Sequence, residues 1–436
     1  MKVLIIHYHL QVGGVTSVIY SQIKALRNLY FDYNITLLAG SRIDTDMLPL
    51  SVTFIYHSEL NYLNVKLNRL EFSKLVNRII YIINQASDEE TIIHVHNHSL
   101  GKNPALTLAI YKLAELGKKI FCLCHDFPDS NRPKNSKILK YYFKKVGIKS
   151  LDNTLYPNFK FFFLGVLNSK DFDSLVLKKI KPSRIDYLPN PLVTENIISP
   201  LTSKEIYKKK VSQILQIDIR LPFIIYPVRA ITRKNIPEFV LIACLFKGKA
   251  NFMITLPPLN LIEKRNYLKV VDFCAQKVKN VIFEAGLKVD FKLLMKSADL
   301  CLSTSYLEGF GMSFLEPWLW GIPVVGRNIS FIINEHKKLK IKFPLLYDNI
   351  IINRKDFADY SFRKQLIILN RICCNEDYAK VICKKNPFLL DILKKIPPEY
   401  VKQNQSLIKK HFSLKNYGNR LHKIYTKIVK SPNILL

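Results

Sequence analysis

Residues 2–40 read KVLIIHYHLQVGGVTSVIYSQIKALRNLYFDYNITLLAG and fall into three segments of different periodicity. A short apolar run comes first, an amphipathic run of helix length follows a glycine pair, and a second apolar run ends the stretch. The alternation continues with TIIHVHNH at 91–98, ALTLAIYKLAELG at 105–117 and KIFCLCHD at 119–126. Strands that alternate with helices predict a parallel, doubly wound α/β sheet, whose ligands bind at the carboxyl ends of the strands.

A second set of alternating segments begins after a polar, Lys-rich stretch around residues 195–220. The runs LPFIIYPVRA, NFMITLP, NVIFEAG, DLCLSTS and IPVVGRN predict a second sheet of the same class. We therefore expect one Rossmann-like domain at residues 1–195 and another at residues 215–400. Residues 401–436 are expected to form a docking element, with one long helix from Val401 to Val429 after the break at Pro397 and Pro398.

The composition indicates a globular protein with a strongly basic surface. Apolar residues make up 48% of the 436, which is enough to bury packed cores and argues against extensive disorder. The formal net charge is +32, yet the lysines are scattered along the chain. This charge fits a solvated Lys-rich surface as well as a face that binds an anionic membrane. No signature of a nucleic-acid-binding module accompanies it, so nucleic acid is not an expected partner.

The cysteines and the lengths of the apolar runs indicate the cellular compartment in which the protein is expected. Eight cysteines are spread from Cys122 to Cys383 without the density of a disulfide framework, which favours a reducing environment. Cys122 and Cys124 are expected to be buried strand residues, because a single Cys-x-Cys is a poor zinc signature. No run approaches the eighteen apolar residues of a membrane-spanning helix, and the first segment has the pattern of a strand rather than a signal peptide. We expect a cytoplasmic protein whose contact with the membrane face, if it has one, is peripheral.

The segment STSYLEGFGMSFLEPWLWGIPVVG at 303–326 carries the most specific pattern. An apolar strand is expected to end at Ser303 and a helix to start near Gly311, with Glu308 and Glu316 on either side of the glycine-containing loop. Glycine allows close backbone approach, and free N–H groups at a helix start favour a diphosphate. Carboxylates on both sides suit sugar hydroxyls. The alternative is an ordinary glycine loop with one solvated and one helix-capping glutamate.

The segment PVRAITRKN at 227–235 follows another apolar strand and brings three cations to its end. Arg229 and Lys234, with Arg233 between them, could neutralise a leaving diphosphate without a metal ion. The alternative is a set of ordinary surface basic residues, although their place at a strand end favours function.

Two further strand ends in the first half carry candidate residues. Gly13 and Gly14 separate the first strand from the first helix, where backbone N–H groups can meet an anion, but the three-glycine dinucleotide fingerprint and the P-loop lysine are absent. His94, His96 and His98 alternate and are therefore expected on one side of their strand. Packed or hydrogen-bonded histidines are commoner than a metal site there. His125 directly ends its strand and is the preferred functional histidine.

Taken together, these residues resemble family 4 of the retaining glycosyltransferases, whose hallmark is a glutamate, seven residues and a second glutamate in the form EGFG…E. Glu308 and Glu316 match that motif. The resemblance extends to Gly13-Gly14, His125, the Pro-Asn-Pro turn at 189–191, the Arg229 and Lys234 pair and a final helix with tyrosines, and so spans nearly the whole chain. It implies a GT-B fold, with two doubly wound Rossmann-like domains facing a central cleft and a C-terminal helix that crosses back to the first domain.

The resemblance also implies roles for single residues. Arg229 and Lys234 would hold the donor diphosphate, Glu308 would contact the transferred sugar, Glu316 the ribose, and His125 a far hydroxyl near the reacting centre. Gly13, Gly14, Gly309, Phe310 and Gly311 would complete the donor site. Val228, Asn235 and Pro317-Trp318 depart from the common pattern and would alter the shape of the donor pocket. The segments at 96–103 and 125–135 would shape the acceptor site through His98, Asn103, Asp126 and Arg132.

The predicted function is the retaining transfer of a hexosyl group from a nucleotide diphosphate sugar to a glycan, glycolipid or small-molecule acceptor. The resemblance implies same-face attack, in which the departing phosphate accepts the acceptor's proton, with no metal ion and no cofactor beyond the donor itself. Two alternatives remain within this architecture: a sugar-nucleotide epimerase, and an inactive scaffold that binds a partner or an anionic membrane. A basic nucleic-acid-binding protein ranks below both.

Overall fold

The computed structural model describes residues 1–11, 13–29, 32–42, 52–128, 133–193 and 203–431. The chain divides into two compact units. The first comprises Met1–Val193 together with Phe412–Leu436, and the second comprises Thr194–His411. Each unit is built around one parallel sheet flanked by helices, as the alternation of apolar runs predicts.

The sheet of the first unit has seven parallel strands in the order β3-β2-β1-β4-β5-β6-β7. The order reverses between the neighbours β1 and β4, which is the place where doubly wound sheets bind ligands. The strands are β1 (Lys2–His7), β2 (Asn34–Ala39), β3 (Val52–Tyr56), β4 (Ile92–His96), β5 (Ile120–Cys124), β6 (Phe162–Val166) and β7 (Ile185–Tyr187).

Among the described residues of 1–193, six α-helices lie between the strands. Capping residues stabilise the N-termini of two of them. Asn68 and Glu71 form a capping box at α2, and Asn103 caps α3 immediately before Pro104. Every residue of β4, β5 and β6 is buried, as expected for strands covered on both faces. The helices are α1 (Gly14–Arg27), α2 (Arg69–Gln85), α3 (Pro104–Glu115), α4 (Pro133–Lys145), α5 (Leu151–Leu155) and α6 (Ser169–Leu177).

The sheet of the second unit has six parallel strands in the order β10-β9-β8-β11-β12-β13. Its order reverses between β8 and β11. The strands are β8 (Phe223–Arg229), β9 (Asn251–Leu256), β10 (Val281–Ile282), β11 (Leu300–Ser303), β12 (Val324–Arg327) and β13 (Leu346–Tyr347), with a separate antiparallel pair of β14 (Ile351–Ile352) and β15 (Lys355–Asp356).

The helices of the second unit pack around an apolar core that β8, β9, α8 and α14 dominate. They are α7 (Lys204–Leu215), α8 (Ile236–Leu245), α9 (Leu261–Lys277), α10 (Ala285–Lys288), α11 (Phe291–Ser297), α12 (Glu316–Leu319), α13 (Ser330–Lys338), α14 (Phe362–Cys374), α15 (Glu376–Lys385) and α16 (Pro398–Phe412).

The final helical stretch differs from the expectation of one helix from Val401 to Val429. It is broken at Ser413 into α16 and α17 (Leu414–Lys430), because the Ser413 hydroxyl accepts a hydrogen bond from the Asn416 N–H and caps a new helix. Helix α17 belongs to the first unit and packs against α1. A Cβ added at Gly418 would lie 2.6 Å from Leu29 Cδ1, so the two helices approach closely there.

Two compositional expectations can be compared directly with the structure. Cys122 and Cys124 are buried in β5 as free thiols, which confirms that expectation, and the other six cysteines are free as well. Among the residues that the structure describes, no helix is long and apolar enough to cross a membrane.

Candidate active site

The end of the second sheet brings two loops together. Strands β8 and β11 are parallel neighbours, so the chain leaves both at the same edge, after Arg229 and Ser303. A single turn of 3-10 helix, Thr232–Lys234, follows the first strand, and the glycine-containing loop follows the second. Lys234 and Glu308 meet at this point, which is the position where the strand order reverses.

Lys234 and Glu308 form an ion pair that is almost closed to solvent. The Lys234 Nζ donates to Glu308 Oε1, and the Ser305 hydroxyl donates to the same oxygen at 2.6 Å. The side chains of Glu308 and Lys234 are 7% and 11% exposed, so the carboxylate has exchanged water for two protein donors. A buried charge is tolerated only with such partners.

Side chains from β8 and from the glycine-containing loop hold this pair in place. The Tyr226 hydroxyl lies 2.5 Å from the Ser305 hydroxyl and 3.3 Å from the Lys234 carbonyl oxygen. The Thr304 hydroxyl donates to the same carbonyl at 3.0 Å. Ser305, Thr304 and Tyr226 therefore fix the backbone of one partner and the carboxylate of the other.

The electrostatic balance keeps Glu308 ionised. Burial alone would raise the pKa of Glu308, but the charges of Lys234 and Arg233 and the hydrogen bonds from Lys234 and Ser305 hold this pKa below its ordinary value. Arg229 lies at the end of β8, where its guanidinium donates to the Pro257 carbonyl at 2.9 Å. Glu308 is thus an ionised carboxylate beside the cations Lys234 and Arg233.

The loop after Glu308 differs from the predicted helix start near Gly311. The chain forms a 3-10 turn at Met312–Phe314 and then only the four-residue helix α12, whose first residue is Glu316. Pro317 occupies the second helical position, where its missing N–H costs nothing, as expected. Glu316 is half-buried, and burial raises its pKa. The row of free N–H groups that a longer helix would offer is therefore not formed by α12.

Gly311 and Phe310 fix the position of this loop through close packing. Gly311 adopts φ +78°, and a Cβ there would lie 2.6 Å from Ile332 Cγ2, so only glycine fits without a shift. Phe310 is 4% exposed and packs edge-on against His336 at 5.7 Å between ring centroids. Phe310 and Gly311 thus anchor the loop to α13.

A buried ionic network beside Lys234 was not predicted from the sequence. Asn235 adopts φ 51° and donates to Glu238 Oε2 at 2.8 Å. Glu238 accepts from Arg327 Nε at 3.0 Å, and Arg327 reaches Asp356 at 2.7 Å. The available signal was Glu238 itself, a lone carboxylate in the apolar segment IPEFVLIACL, which needs a buried partner. The network holds the turn that carries Lys234.

A cavity of about 280 Å³ adjoins the same loops in the second unit. Thr232 and Asn235 on one side and Tyr306 on the other line it, together with residues of α9 and of the segment before α14. Asn235, which was expected to alter the shape of the donor pocket, lines this cavity, whereas none of the predicted catalytic or donor-binding residues does.

In the first unit, the glycine pair lies at the predicted junction. Gly13 caps α1 and Gly14 is its first residue. The backbone of Gly13 is extended, with φ 174°, and a Cβ at Gly14 would have no neighbour within 4 Å. Neither position requires glycine for its local geometry.

His125 follows β5 directly and is held by two contacts. Its backbone N–H donates to Asn97 Oδ1 at 2.7 Å, and its Nε2 lies 2.9 Å from His96 Nδ1. Burial lowers the pKa of His125 to about 4 despite the opposing charge of Asp126. In the part of the chain that the structure covers, no group of three or more histidines, cysteines or carboxylates is arranged for a metal ion.

The histidines of β4 do not all share one side, contrary to the expectation. His94 and His96 stack at 4.5 Å, but Asn97 adopts φ 57° and ends the alternation. His98 contacts Phe162, which belongs to the core on the opposite face of the sheet. Strand alternation applies only while the backbone stays extended.

The residues predicted for the acceptor site differ in their surroundings. His98 is 1% exposed and bonds the Leu155 carbonyl at 2.6 Å. Asn103 is equally buried, capping α3 with its oxygen and bonding the Glu59 and Asn61 carbonyls with its nitrogen. These contacts give both residues structural roles. Asp126 follows His125 at the sheet edge, and its N–H also donates to Asn97 Oδ1. Arg132 lies outside the described residues.

Comparisons with known proteins support the architecture. No protein-family model matches the chain. The chain is 33% identical over 326 residues to mannosylglucosyl-3-phosphoglycerate synthase of Petrotoga mobilis, an alignment that covers 72% of this chain and 62% of that protein. HepE of Anabaena in complex with UDP-glucose superposes with a TM-score of 0.63 at 14% identity, covering 98% of this chain and all of HepE. Sucrose-phosphate synthase of Thermosynechococcus elongatus gives 0.64 at 13% identity, covering 99% of this chain and all of that enzyme. The chain has the GT-B fold.

The GT-B fold confirms the expectation of two Rossmann-like domains, each with the strand order described above. Because the chain spans 62% of the length of its Petrotoga relative, the similarity covers a part of that enzyme. At 13–14% identity, the two solved structures bear on the fold alone.

Proposed function

We propose that the protein is a glycosyltransferase that takes a nucleotide diphosphate sugar as its donor. The observation that carries the proposal is the buried Lys234–Glu308 pair at the reversal point of the second sheet, in a GT-B chain 33% identical to a glycoside-forming synthase. Ligands of doubly wound sheets bind at this position. HepE, which shares the fold, has been crystallised with UDP-glucose.

The charges of the site suit the departure of a diphosphate. Lys234 offers three N–H donors, of which Glu308 uses one, so the ammonium can contact a phosphate oxygen while it keeps its partner. Arg229 adds a second cation at the same strand end. Developing negative charge on the leaving group is stabilised by such prearranged cations, and we propose that they act without a metal ion.

Glu308 is proposed to bind hydroxyls of the transferred hexosyl group. Its carboxylate stays ionised and accepts at Oε1 from Lys234 and Ser305, so Oε2 retains its lone pairs for a sugar. Glu316, Gly309, Phe310 and Gly311 keep their proposed places around the donor, as do Gly13, Gly14 and His125 in the first unit.

The stereochemical course is proposed to be retention, following the EGFG…E resemblance to family 4. In same-face displacement, the departing phosphate accepts the proton of the acceptor hydroxyl, so no enzyme nucleophile is required. The acceptor is proposed to be a glycan, a glycolipid or a small molecule. The name of the Petrotoga relative adds phosphorylated small-molecule glycosides to the acceptors worth testing.

A donor screen tests the proposal. Purified protein is heated with UDP-, GDP- and ADP-sugars in the presence of EDTA, and release of the nucleoside diphosphate is followed in parallel. One donor is expected to raise Tm and to be hydrolysed slowly, because a ligand that binds only the folded state stabilises it. Binding by none of them would overturn the proposal, and conversion of the donor into an isomeric sugar nucleotide would identify an epimerase instead.

Matched variants test the residues. Glu308→Gln and Arg229→Gln are expected to lower kcat/KM for the donor by about 100-fold, the scale of losing one electrostatic contact in a transition state. Lys380→Gln, at a side chain that is 67% exposed, is the control and should leave kcat/KM unchanged. The anomeric configuration of the product, read by NMR, tests retention. Wild-type turnover in both site variants would contradict the assignment.

A further inference from the structure

A column of stacked imidazoles lies behind His125 in the first unit. The rings of His94 and His96 stack at 4.5 Å between centroids, and those of His96 and His125 at 5.2 Å, each with an interplanar angle of 13°. All three residues are buried. Gln22 of α1 bonds both His94 and His96 of this histidine column, and Tyr425 of α17 bonds His94. Three polar rings in line, linked through buried hydrogen bonds, are more than packing requires.

The imidazoles of the column are neutral. Burial lowers the pKa of His94 to about 3 and that of His125 to about 4, and burial together with the neighbouring histidines lowers the pKa of His96 well below its ordinary value. No carboxylate of the described residues bonds any of these rings. A neutral imidazole carries one N–H donor and one lone pair, so each hydrogen bond fixes the direction of the next.

The orientation of the Gln22 amide sets the direction of the hydrogen bonds along the column. Its Oε1 only accepts and lies 3.1 Å from His96 Nε2, so this nitrogen of His96 carries the proton. His96 Nδ1 then holds a lone pair and accepts from His125 Nε2 at 2.9 Å. His125 is consequently protonated at Nε2, and its Nδ1, which bonds none of the described residues, holds the lone pair.

The contacts of the Gln22 nitrogen, Nε2, agree with this direction of the hydrogen bonds. Gln22 Nε2 lies 3.2 Å from the Tyr425 hydroxyl and 3.0 Å from His94 Nδ1, and both atoms can accept. The Tyr425 hydroxyl in turn lies 2.6 Å from His94 Nδ1, to which it can donate. Reversing the amide would place Nε2 against His96 and would reverse every N–H along the column, so one side chain determines the tautomer of His125.

We propose that Gln22 and His96 are positioning residues that hold His125 in the tautomer whose Nδ1 accepts a hydrogen bond from a hydroxyl of the bound sugar. The use of this lone pair rests on the proposed function, whereas the tautomer itself does not. His125 then serves as a fixed acceptor and not as a proton donor. Asn97 supports the arrangement by holding the backbone N–H of His125.

Nitrogen NMR of the intact protein tests the tautomer without any substrate. Histidine labelled with ¹⁵N is introduced, and long-range ¹H–¹⁵N correlations are recorded at pH 7, with the His125→Gln variant supplying the assignment. We expect Nε2 of His125 at the protonated position and Nδ1 at the unprotonated position. The opposite tautomer in the wild-type protein would overturn the proposal, so this spectrum is decisive even if Gln22→Met fails to fold.

Substitution of the amide tests the positioning. In Gln22→Met, which keeps the length of the side chain, the His125 signals are expected to shift towards a mixture of tautomers. Gln85→Met at the exposed end of α2 should leave them unchanged, as should Tyr425→Phe, because Gln22 Nε2 keeps His94 as its acceptor. An unaltered His125 tautomer in Gln22→Met would overturn the role of Gln22.

Kinetics then separate this proposal from the proposed function. Gln22→Met is expected to lower kcat/KM for the donor by up to about tenfold, the value of one hydrogen bond. A wild-type protein that shows the expected tautomer but binds no sugar nucleotide would refute the proposed function and the sugar contact, while the positioning of His125 would stand. Unchanged kcat/KM alongside an altered tautomer would overturn the contact between Nδ1 and the sugar.

Discussion

Lys234 and Glu308 show how strongly a buried charge depends on one neighbour. Both side chains are nearly inaccessible, and each supplies the opposite charge that the other needs. Removal of one partner leaves the other as an unpaired ion in a medium of low polarity. Stability and catalysis are therefore linked at this position, which affects how substitutions there should be chosen.

We expect Lys234→Met to lower the free energy of unfolding by about 3–5 kcal/mol, the range for breaking a buried ion pair from one side. The double variant Lys234→Met/Glu308→Gln should recover much of that loss, because the remaining amide carries no charge. Urea unfolding of the wild type, both single variants and the double variant measures the coupling. Lys380→Met, at an exposed lysine, is the control, and additive losses in the double variant would contradict the coupling.

Gly311 and Gly14 form a contrasting pair of glycines. Gly311→Ala is expected to destabilise the protein by about 1–3 kcal/mol, since φ is +78° and the new Cβ would meet Ile332. Gly14→Ala, in open space at the start of α1, should be neutral or stabilising by up to about 1 kcal/mol. Thermal or urea unfolding compares the two variants. Equal effects at the two positions would show that backbone strain at Gly311 is not the cause.

The sequence predicted the candidate site only in part at this scale. Lys234 and Glu308 could be named because each follows a strand in a recognisable pattern. Tyr226 and Ser305 could not, because a tyrosine within an apolar strand and a serine in a loop have many ordinary roles. Their importance depends on the pairing of β8 with β11, which brings segments distant in sequence together. This pairing produces no recognisable pattern in the local sequence.

At the scale of elements, alternation of apolar runs predicted most strands of both sheets. The interpretation did not include β3 (Val52–Tyr56) or the two-residue β13, which has too few residues to show a period. It also missed the break at Ser413. No proline or glycine marks that break, and the serine acts only because its hydroxyl caps the next helix. Periodicity reports burial, whereas caps decide where a helix begins.

The contact between α1 and α17 gives a prediction for Gly418. Glycine inside a helix normally costs about 1 kcal/mol relative to alanine, so Gly418→Ala would stabilise an isolated helix. Here the added Cβ would lie 2.6 Å from Leu29 Cδ1 and 3.0 Å from the Ala25 carbonyl oxygen. We expect Gly418→Ala to lower Tm, as measured by circular dichroism. A rise in Tm would mean that α17 does not pack closely on α1.

At the scale of the whole molecule, buried histidines make stability dependent on pH. Burial lowers the pKa of five of them to about 3 or about 4, namely His7, His94, His98, His125 and His336. In the unfolded chain their pKa is the ordinary 6.5. Between these values the unfolded state binds more protons, so the free energy of unfolding falls as pH falls.

We therefore expect the protein to be stable at pH 7–8 and to lose stability below about pH 6.5. Each such histidine contributes a slope of up to about 1.4 kcal/mol per pH unit, and several together give a steep decline. Urea unfolding at pH 8, 7, 6 and 5 measures the slope. Constant stability down to pH 5 would contradict the neutral, buried state of these residues.

The order in which the chain is synthesised bears on the histidine column. Residues 1–193 leave the ribosome before α17, which completes their unit. The hydroxyl of Tyr425 meets an imidazole 331 residues earlier in the chain. A nascent first unit must therefore wait, with one flank of α1 uncovered, while the entire second unit is made and has time to fold. The polar interior around Gln22 can therefore close only after α17 has been made, because Tyr425 of α17 bonds both Gln22 and His94.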